Sequence, residues 1–233
     1  MIGHQGDQHE LLLAFLKIFH EAEAFEMKVQ SKMISKREKN MIKCSQSGYD
    51  FTPKLDCVYK STVYDCMVGQ RQFVTKCSSC LHVSKRYETF KVLEIDVAHT
   101  IKEATDKLLE STKYENLECD GCKQKHEASR QANFVKLPDV LFLCITRFKY
   151  QNGRYVKNNG EVFIDISLDF AGETFDLVGV GEHLGTIGGG HCLSAIKKKD
   201  LLYCLDDDNV RPYRTDTKRL RQNCYVLVYE KKK

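Results

Sequence analysis

Long apolar runs are missing from this chain of 233 residues. The longest apolar stretch without a charged residue, Leu11 to Leu16, is far too short to span a bilayer, so we predict no membrane-spanning segment. The N-terminus has neither the basic start nor the apolar core of a secretory signal, and we expect no export. A hydrophobic content of 42% with 29% charged residues excludes disordered and fibrous classes. The composition is that of a soluble globular protein with one domain or two small ones.

A strong excess of one charge is also missing. The 36 basic and 32 acidic residues give a net charge of +4, which is too balanced to indicate a polyanionic partner. The lysine runs at 197–199 and 231–233 contain no interleaved aromatic residues that could stack on bases. We therefore expect no nucleic-acid partner. A zinc-ribbon module that binds nucleic acid remains an alternative, and it predicts steeply salt-dependent binding.

The cysteine pattern predicts a metal site. An odd number of cysteines, 11, without a secretory signal favours reduced thiols and metal ligands in the cytoplasm or nucleus. Two CxxC pairs, Cys77 with Cys80 and Cys119 with Cys122, could complete the four-sulfur tetrahedron that suits structural zinc. The alternatives are chance proximity of core cysteines and a redox pair, although neither pair opens a helix after a strand as redox chemistry usually requires.

The hydrophobic pattern predicts an α+β fold without βαβ alternation. A helix from 7 to about 27 is apolar on nearly every side, and the polar stretch from 28 to 60 has no period and is typical of a loop. Short strand-like runs follow, interrupted by one helix from Ile101 to about Glu110 that Thr100 caps. The predicted strands are 72–76, 83–87, 92–97, 128–137, 140–147, 162–166, 175–180 and 225–229.

One predicted hairpin separates a histidine, which follows a glycine run, from an acidic cluster. His191 follows Gly188 to Gly190, and glycines leave room for another backbone to approach. Two apolar strands, 192–196 and 201–205, lead to Asp206, so antiparallel pairing would bring carboxylate and imidazole together. That is the geometry in which an acid orients a histidine that activates a thiol. The alternative is a glycine turn, an exposed histidine and a solvated acidic turn.

Several segments follow one another in the order found in one protease family. They are Gln5-Gly6-Asp7-Gln8-His9-Glu10 at the start of the helix, Gly69-Gln70, the two CxxC pairs, Phe134-Val135-Lys136-Leu137-Pro138-Asp139-Val140-Leu141, Arg147-Phe148, Gly189-Gly190-His191 and Asp206-Asp207. In these motifs the chain resembles the catalytic domain of ubiquitin-specific proteases, and the resemblance extends from Gln5 to Tyr229.

The resemblance implies an α+β, papain-like cysteine peptidase fold with a helical thumb, a β palm and fingers that end in a zinc ribbon. It implies one partial domain over 1–233, with the N-terminal part of the thumb missing. Residues 5–28 would form the thumb helix, 29–61 a polar loop, 62–130 mainly the fingers and 131–233 the palm.

The resemblance also implies roles for single residues. His191 would be the general base and Asp206 the residue that orients it, with Asp207 as the second choice. Asp7 and Glu10 would contact the basic surface of ubiquitin, and Gly189 and Gly190 would admit the substrate backbone. Cys77, Cys80, Cys119 and Cys122 would hold structural Zn²⁺. The implied partner is ubiquitin or a ubiquitinated protein.

The chain departs from the family at the nucleophile. The family's asparagine-threonine-cysteine box lies upstream of the position that matches Gln5, so we expect the nucleophile to be absent and the chain to be inactive alone. Cys192 should point away from His191, and it replaces the aromatic residue that usually follows the histidine. Cys204 should share a face with Asp206, but a thiol on the acid's own strand is poorly placed to attack a carbonyl.

Two interpretations of the resemblance remain open. The chain is either a deubiquitinase domain that cleaves the isopeptide bond at the C-terminus of ubiquitin once a nucleophile is supplied, or a non-catalytic protein that binds ubiquitin or another partner. The missing thumb helix would leave one apolar side of the 7–27 helix uncovered. We therefore expect self-association through that helix or marginal stability.

Overall fold

Short strands dominate the fold in the computed structural model, which describes residues 7–28, 57–186, 189–199, 201–213 and 217–233. The helices are α1 Gln8–Glu23, α2 Thr62–Met67, α3 Ile101–Asp106, which a 3₁₀ turn at Lys107–Leu109 continues, and α4 Lys218–Asn223. The strands are β1 Phe25–Lys28, β2 Cys57–Lys60, β3 Gly69–Cys77, β4 Val83–Phe90, β5 Val92–Ile95, β6 Thr112–Glu118, β7 Lys125–Lys136, β8 Val140–Ile145, β9 Phe148–Gln151, β10 Arg154–Lys157, β11 Ser167–Phe170, β12 Glu173–Thr186, β13 Gly189–Lys198, β14 Leu201–Asp206, β15 Asn209–Tyr213 and β16 Cys224–Lys231.

The predicted 7–27 helix is present but shorter. It ends at Glu23, and the following residues form β1, which pairs antiparallel with β2 in the register Lys28 opposite Cys57. The two ends of the polar stretch predicted as a loop over 28–60 are therefore strands. Residues 29–56 lie outside the described part of the chain, as do Gln5, Gly6 and Gly188. A partner this far along the chain leaves no local pattern that could predict β1.

The described chain divides into two compact units. The first comprises Met1–Ile18, Lys91–Lys107 and Asp139–Lys233, and the second comprises Phe19–Phe90 and Leu108–Pro138. No helix among the described residues is both long and apolar enough to cross a membrane.

The first unit is built on an eight-stranded sheet in the order β15-β14-β13-β12-β16-β8-β5, with β11 also paired to β12. Every pair is antiparallel except β5 with β8. Strand β8 is apolar at each of its six positions and almost fully buried, as expected for a central strand covered on both faces. Large fully buried side chains fill this core, among them Phe170, Phe175, Leu141, Leu143, Ile145, Leu177 and Tyr229.

A separate hairpin, β9 with β10, belongs to the same unit. Its two turn residues, Asn152 and Gly153, have φ of 51° and 80°, and an Asn-Gly pair is the usual solution where both turn residues need positive φ. The Asn-Gly dipeptide is therefore a sequence signal for this hairpin.

The second unit contains a four-stranded antiparallel sheet in the order β4-β3-β7-β6. Strands β3 and β7 pair along most of their length, from Gln70 opposite Lys136 to Cys77 opposite Ala128. This register brings the turn after β3 close to the turn between β6 and β7. Each of these turns carries one CxxC pair.

The α+β class predicted from the pattern is present, and most predicted strands are found within a few residues. Thr100 caps α3 by accepting a hydrogen bond from the backbone N–H of Glu103 at 3.0 Å. The strand predicted over 162–166 was wrong, because Phe163 forms only an isolated bridge with Thr100 and β11 begins at Ser167. The sequence analysis also missed α2 and α4, which are only six residues long.

Candidate functional site

Strands β13 and β14 place an imidazole beside a carboxylate. The two strands pair antiparallel, as expected from the sequence, and their register places Ser194 opposite Leu205. By the two-residue period of strands, His191 and Asp206 then lie on the same face of the sheet. His191 Nε2 is 2.8 Å from Asp206 Oδ1. The side chains are 46% and 27% exposed, so the pair lies at the surface and is open to a reactant.

The electrostatics of this pair are mutually reinforcing. The hydrogen bond to Asp206 raises the pKa of His191, and the charge of Asp207 adds to this effect. The same hydrogen bond lowers the pKa of Asp206, helped by Arg211 and Arg219. An ionised Asp206 accepts a hydrogen bond from the Nε2–H group of His191. The lone pair of the neutral imidazole then lies on Nδ1. A histidine in this tautomer can take a proton from an acid that approaches Nδ1.

Asp207 lies close to the same pair. It is the first residue of the tight turn between β14 and β15, and its φ of 50° is unusual for a residue with a side chain. One side-chain nitrogen of His191 and one carboxylate oxygen each of Asp206 and Asp207 all lie within 4.8 Å of one another. Asp206 is the member of this group that hydrogen-bonds directly to Nε2 of His191.

The two glycines before His191 differ in their surroundings. A Cβ on Gly190 would lie 2.3 Å from the carbonyl oxygen of Leu184 and 2.8 Å from Nε2 of His183, so only glycine fits there. A Cβ on Gly189 would meet nothing within 4 Å. Because Gly190 has no side chain, it can pack closely against β12. The space beside Gly189 is open to an approaching backbone.

Asp7 and Glu10 lie in or beside the first turn of α1. Asp7 Oδ1 accepts a hydrogen bond from the backbone N–H of His9 at 2.6 Å, and its Oδ2 accepts one from the hydroxyl of Tyr225 at 2.7 Å. Asp7 thus caps the helix and anchors it to β16. The Glu10 side chain is exposed on the first turn.

The described cysteines include no exposed thiol beside His191. Cys204 has no exposed surface, although the strand period puts it on the face of Asp206. Cys192 lies directly opposite His183 on the other face, and burial raises the pKa of its thiol. Cys144 and Cys224 are buried in the core, where they pack as small hydrophobic residues.

The four cysteines of the CxxC pairs meet in the second unit. Their sulfur atoms all lie within 4.8 Å of one another, and Cys80 Sγ is 3.5 Å from Cys119 Sγ. In a tetrahedral site with metal–sulfur bonds of about 2.3 Å, the sulfur atoms are about 3.8 Å apart. The sulfur atoms are therefore close to the spacing that a tetrahedral metal ion requires.

The two turns that carry these cysteines have matching backbone geometry. The N–H of Cys77 donates to the carbonyl of His82 at 3.0 Å, and the N–H of Cys119 donates to that of Gln124 at 2.9 Å. The residue after each pair, Leu81 or Lys123, has a φ near 60°. Backbone N–H groups of Cys122 and Gly121 lower the pKa of Cys119, whereas the pKa of the neighbouring Cys80 is raised, so the thiolate is favoured at Cys119.

Three arginines of the same unit carry contacts that sequence reasoning missed. Arg147 was noted only as part of a family motif, yet it is fully buried and donates to backbone carbonyls. Arg219 donates to buried Glu182, and Arg211 donates to Asp206. The alternation of β14 and β15 about a two-residue turn could have placed Arg211 on the face of Asp206. Arg219 contacts Glu182, 37 positions away, and Arg147 contacts Cys224, 77 positions away. No local sequence pattern predicts such contacts.

Comparison with known proteins gives one family. A family model described as ubiquitin carboxyl-terminal hydrolase matches residues 1–229. Ubiquitin carboxyl-terminal hydrolase 4 of Saccharomyces cerevisiae (strain YJM789) is 30% identical over 214 residues, which cover 73% of this chain and 22% of that protein. Ubiquitin carboxyl-terminal hydrolase 36 of Drosophila mojavensis is 26% identical over 246 residues, with 99% of this chain and 19% of that protein covered.

Solved structures give the same fold. The SAGA DUB module of Ubp8, Sgf11, Sus1 and Sgf73 bound to monoubiquitin matches with a TM-score of 0.74 and 19% identity, over 98% of this chain and 49% of that chain. The same module bound to ubiquitin aldehyde matches with a TM-score of 0.72 and 18% identity, over 98% and 50%. The chain thus spans about a fifth of the length of these curated relatives and about half of these structural neighbours.

Proposed function

Because the chain belongs to the ubiquitin carboxyl-terminal hydrolase family, with the α+β fold of its ubiquitin-specific protease members, we propose that it carries the base and acid of a deubiquitinase active site. The reaction is thiol-dependent hydrolysis of the isopeptide bond at the C-terminus of ubiquitin. The observation that carries the proposal is the 2.8 Å contact between His191 and Asp206 on paired strands.

His191 is the general base in this proposal and Asp206 the residue that orients it. Asp206 holds the proton on Nε2, so Nδ1 accepts the proton of the attacking thiol and later returns it to the leaving amine. Asp207 adds negative charge that stabilises the imidazolium formed between these steps. The open space at Gly189 admits the backbone of the ubiquitin tail.

The 233-residue polypeptide by itself does not hydrolyse the bond in this proposal. The buried Cys204 and the oppositely directed Cys192 are the thiols nearest to His191 in sequence, and neither offers an exposed sulfur on the face of the imidazole. Loss of the nucleophile from a cooperating triad costs about a millionfold in rate. The same observation favours a second candidate function, which is binding of ubiquitin without cleavage.

Zinc is the metal we propose for the four-cysteine cluster. Cys77, Cys80, Cys119 and Cys122 supply four sulfur ligands, and a closed set of this kind is typical of structural zinc. Zinc when bound would cross-link the two turns of the four-stranded sheet. Zinc takes no part in the chemistry at His191.

The boundaries of the thumb, fingers and palm stay predictions.

Ubiquitin is the proposed partner, and Glu10 is proposed to contact its basic surface. The test is titration of the chain into ¹⁵N-labelled ubiquitin, where we expect resonances of the C-terminal tail and the neighbouring basic surface to shift. Glu10→Arg reverses an exposed charge and should weaken binding about tenfold, or ~1.4 kcal/mol. Glu23→Arg, exposed at the other end of α1, is the matched control and should bind like the wild type.

The same chain tests catalysis directly. A ubiquitin probe with an electrophile at its C-terminus should leave the 233-residue polypeptide unlabelled. Labelling would refute the proposed inactivity, and labelling lost in Cys204→Ser would identify that thiol as the nucleophile. Absence of any ubiquitin shift in the titration would reject both the deubiquitinase and the ubiquitin-binding proposals.

A further inference from the structure

The two oxygen atoms of Asp206 have different partners. Oδ1 lies 2.8 Å from Nε2 of His191, and Oδ2 accepts a hydrogen bond from Nη2 of Arg211 at 3.3 Å. The terminal torsion of an aspartate is broad, so a carboxylate held by one partner alone samples many orientations. A second partner on the far oxygen restricts that torsion.

The position of Arg211 follows from the register of β14 and β15. Asp206 is opposite Asn209 and Cys204 is opposite Arg211, so Arg211 is the diagonal neighbour of Asp206 on the same face. Diagonal neighbours on paired strands are about 7–8 Å apart, which a long side chain can bridge.

The edge strand that carries Arg211 is itself anchored. The hydroxyl of Tyr213 donates to Oε1 of Glu182, whose side chain is 1% exposed. Arg219 Nη2 donates to the same oxygen at 3.2 Å and to the Tyr213 hydroxyl at 3.0 Å. The anchor lies two residues from Arg211 and on the same face, so β15 is held against β12 through this buried carboxylate.

Resting on the proposed function, we infer that Arg211 is a positioning residue, which holds the Asp206 carboxylate with Oδ1 directed at His191. Its charge is not what matters most. The Arg211 side chain is 55% exposed, and exposed ion pairs are screened and contribute little energy. The second hydrogen bond acts by limiting where the carboxylate can turn.

Charge and positioning predict opposite results for the pKa of His191. If Arg211 acted only as a charge, its removal would leave Asp206 a stronger partner and raise the pKa of His191. If Arg211 positions the carboxylate, its removal weakens the hydrogen bond from His191 and lowers that pKa. The sign of the change therefore separates the two roles.

The experiment is a pH titration of the histidine Cε1–H resonances of the 233-residue chain by NMR. His191→Gln assigns the His191 resonance among those of the eight histidines. We expect Arg211→Met to shift the pKa of His191 downward and Arg211→Lys, which restores one donor, to recover part of the shift. In an Asp206→Asn background Arg211→Met should have no further effect, because the two residues act through one contact.

Lys149→Met is the matched control. It breaks a pair of similar exposure, Lys149 with Asp96 at 2.9 Å, and should leave the His191 titration unchanged. An unchanged or raised pKa in Arg211→Met would overturn the inference, as would failure of Arg211→Lys to recover any of the shift. The titration needs neither ubiquitin nor a nucleophile, so failure of the ubiquitin-binding test and failure of this one are independent results.

Discussion

The buried side chain of Arg147 hydrogen-bonds to several separate backbone segments. It has no exposed surface, and its guanidinium donates to the carbonyls of Cys224, Asn158, Gly160 and Arg221 at 2.7–3.0 Å. Asn158 and Gly160 belong to the segment after β10, Arg221 lies near the C-terminal end of α4, and Cys224 begins β16. Carbonyls at a helix C-terminus carry partial negative charge and favour a cation. One arginine therefore ties two segments to the core beside β16.

Replacement of Arg147 by methionine should cost about 3 kcal/mol or more in the free energy of unfolding. The apolar side chain fills part of the volume but leaves several buried carbonyl oxygen atoms without a donor. Urea denaturation measures the loss, and Arg154→Met, at an exposed position of β10, should change the stability by less than about 0.5 kcal/mol. Equal stability of the two variants would show that water replaces the guanidinium without cost.

Asp206→Asn should lower the pKa of His191, since a neutral amide stabilises the imidazolium less than a carboxylate does. The His191 pKa is raised and the Asp206 pKa is lowered by their contact. The stability that this pair contributes is therefore lost as the pH rises through the folded-state pKa of His191, and also as it falls through that of Asp206. NMR titration of wild type and variant measures the change.

Asp208→Asn is the control for this titration. Asp208 belongs to the same turn but lies outside the cluster that His191 forms with Asp206 and Asp207. We expect it to leave the His191 pKa much closer to that of the wild type. If both variants lowered the pKa equally, the effect would come from the general charge of the turn.

At the scale of elements, the four-stranded sheet depends on its two cysteine-bearing turns. Both turns repeat one backbone pattern, and the long pairing of β3 with β7 brings them together. Most residues of β6 are exposed, so the strand buries little apolar surface of its own. A metal ion that joins the turns would therefore supply stability that packing in this part of the sheet does not.

Cys122→Ser should remove most of the metal affinity and expose the four-stranded sheet to hydrogen exchange. Structural zinc contributes roughly 10–16 kcal/mol apparent in small peptides, so its loss should markedly lower the local stability of this sheet. Metal analysis of the purified chain should give one zinc per wild-type chain, and exchange should rise in β3, β4, β6 and β7. Cys66→Ser, in α2 and outside the cluster, should retain the metal. Full metal content in Cys122→Ser would contradict the proposed ligand set.

At the scale of the whole molecule, α1 presents apolar side chains to solvent. Leu11 is 53% exposed and Ile18 is 56% exposed, and they lie two turns apart along the helix. Contiguous exposed apolar surface on a helix usually marks an interaction site. The self-association predicted from the sequence remains a prediction, and this helix is where we place it.

The 233-residue chain should therefore show a molar mass that increases with concentration in light scattering coupled to size exclusion. Leu11→Glu with Ile18→Glu should shift it toward the monomer by placing like charges on the contact surface. Val210→Glu, which changes an exposed residue on β15, should leave the association unchanged. A wild-type monomer at all concentrations with cooperative melting well above body temperature would contradict the prediction.

Local patterns predicted those features that depend on spacing along the chain. The CxxC pairs, the glycine run before His191 and the acidic cluster are visible as short motifs, and the antiparallel pairing predicted for the two strands between them already brought His191 and Asp206 together. The cap at Thr100 was equally readable, because a cap contacts N–H groups only a few residues away.

The tertiary structure alone decided which distant atoms meet. The contact of Tyr213 with buried Glu182, the bond from Arg147 to the carbonyl of Cys224 and the anchoring of Asp7 by Tyr225 join residues 31 to 218 positions apart. Such contacts depend on strand order and register, which a periodic pattern does not specify. The sequence by itself therefore determined the family and the chemical groups of the site. Packing between distant segments decided how β15 is anchored through Glu182 and which thiols are exposed to solvent.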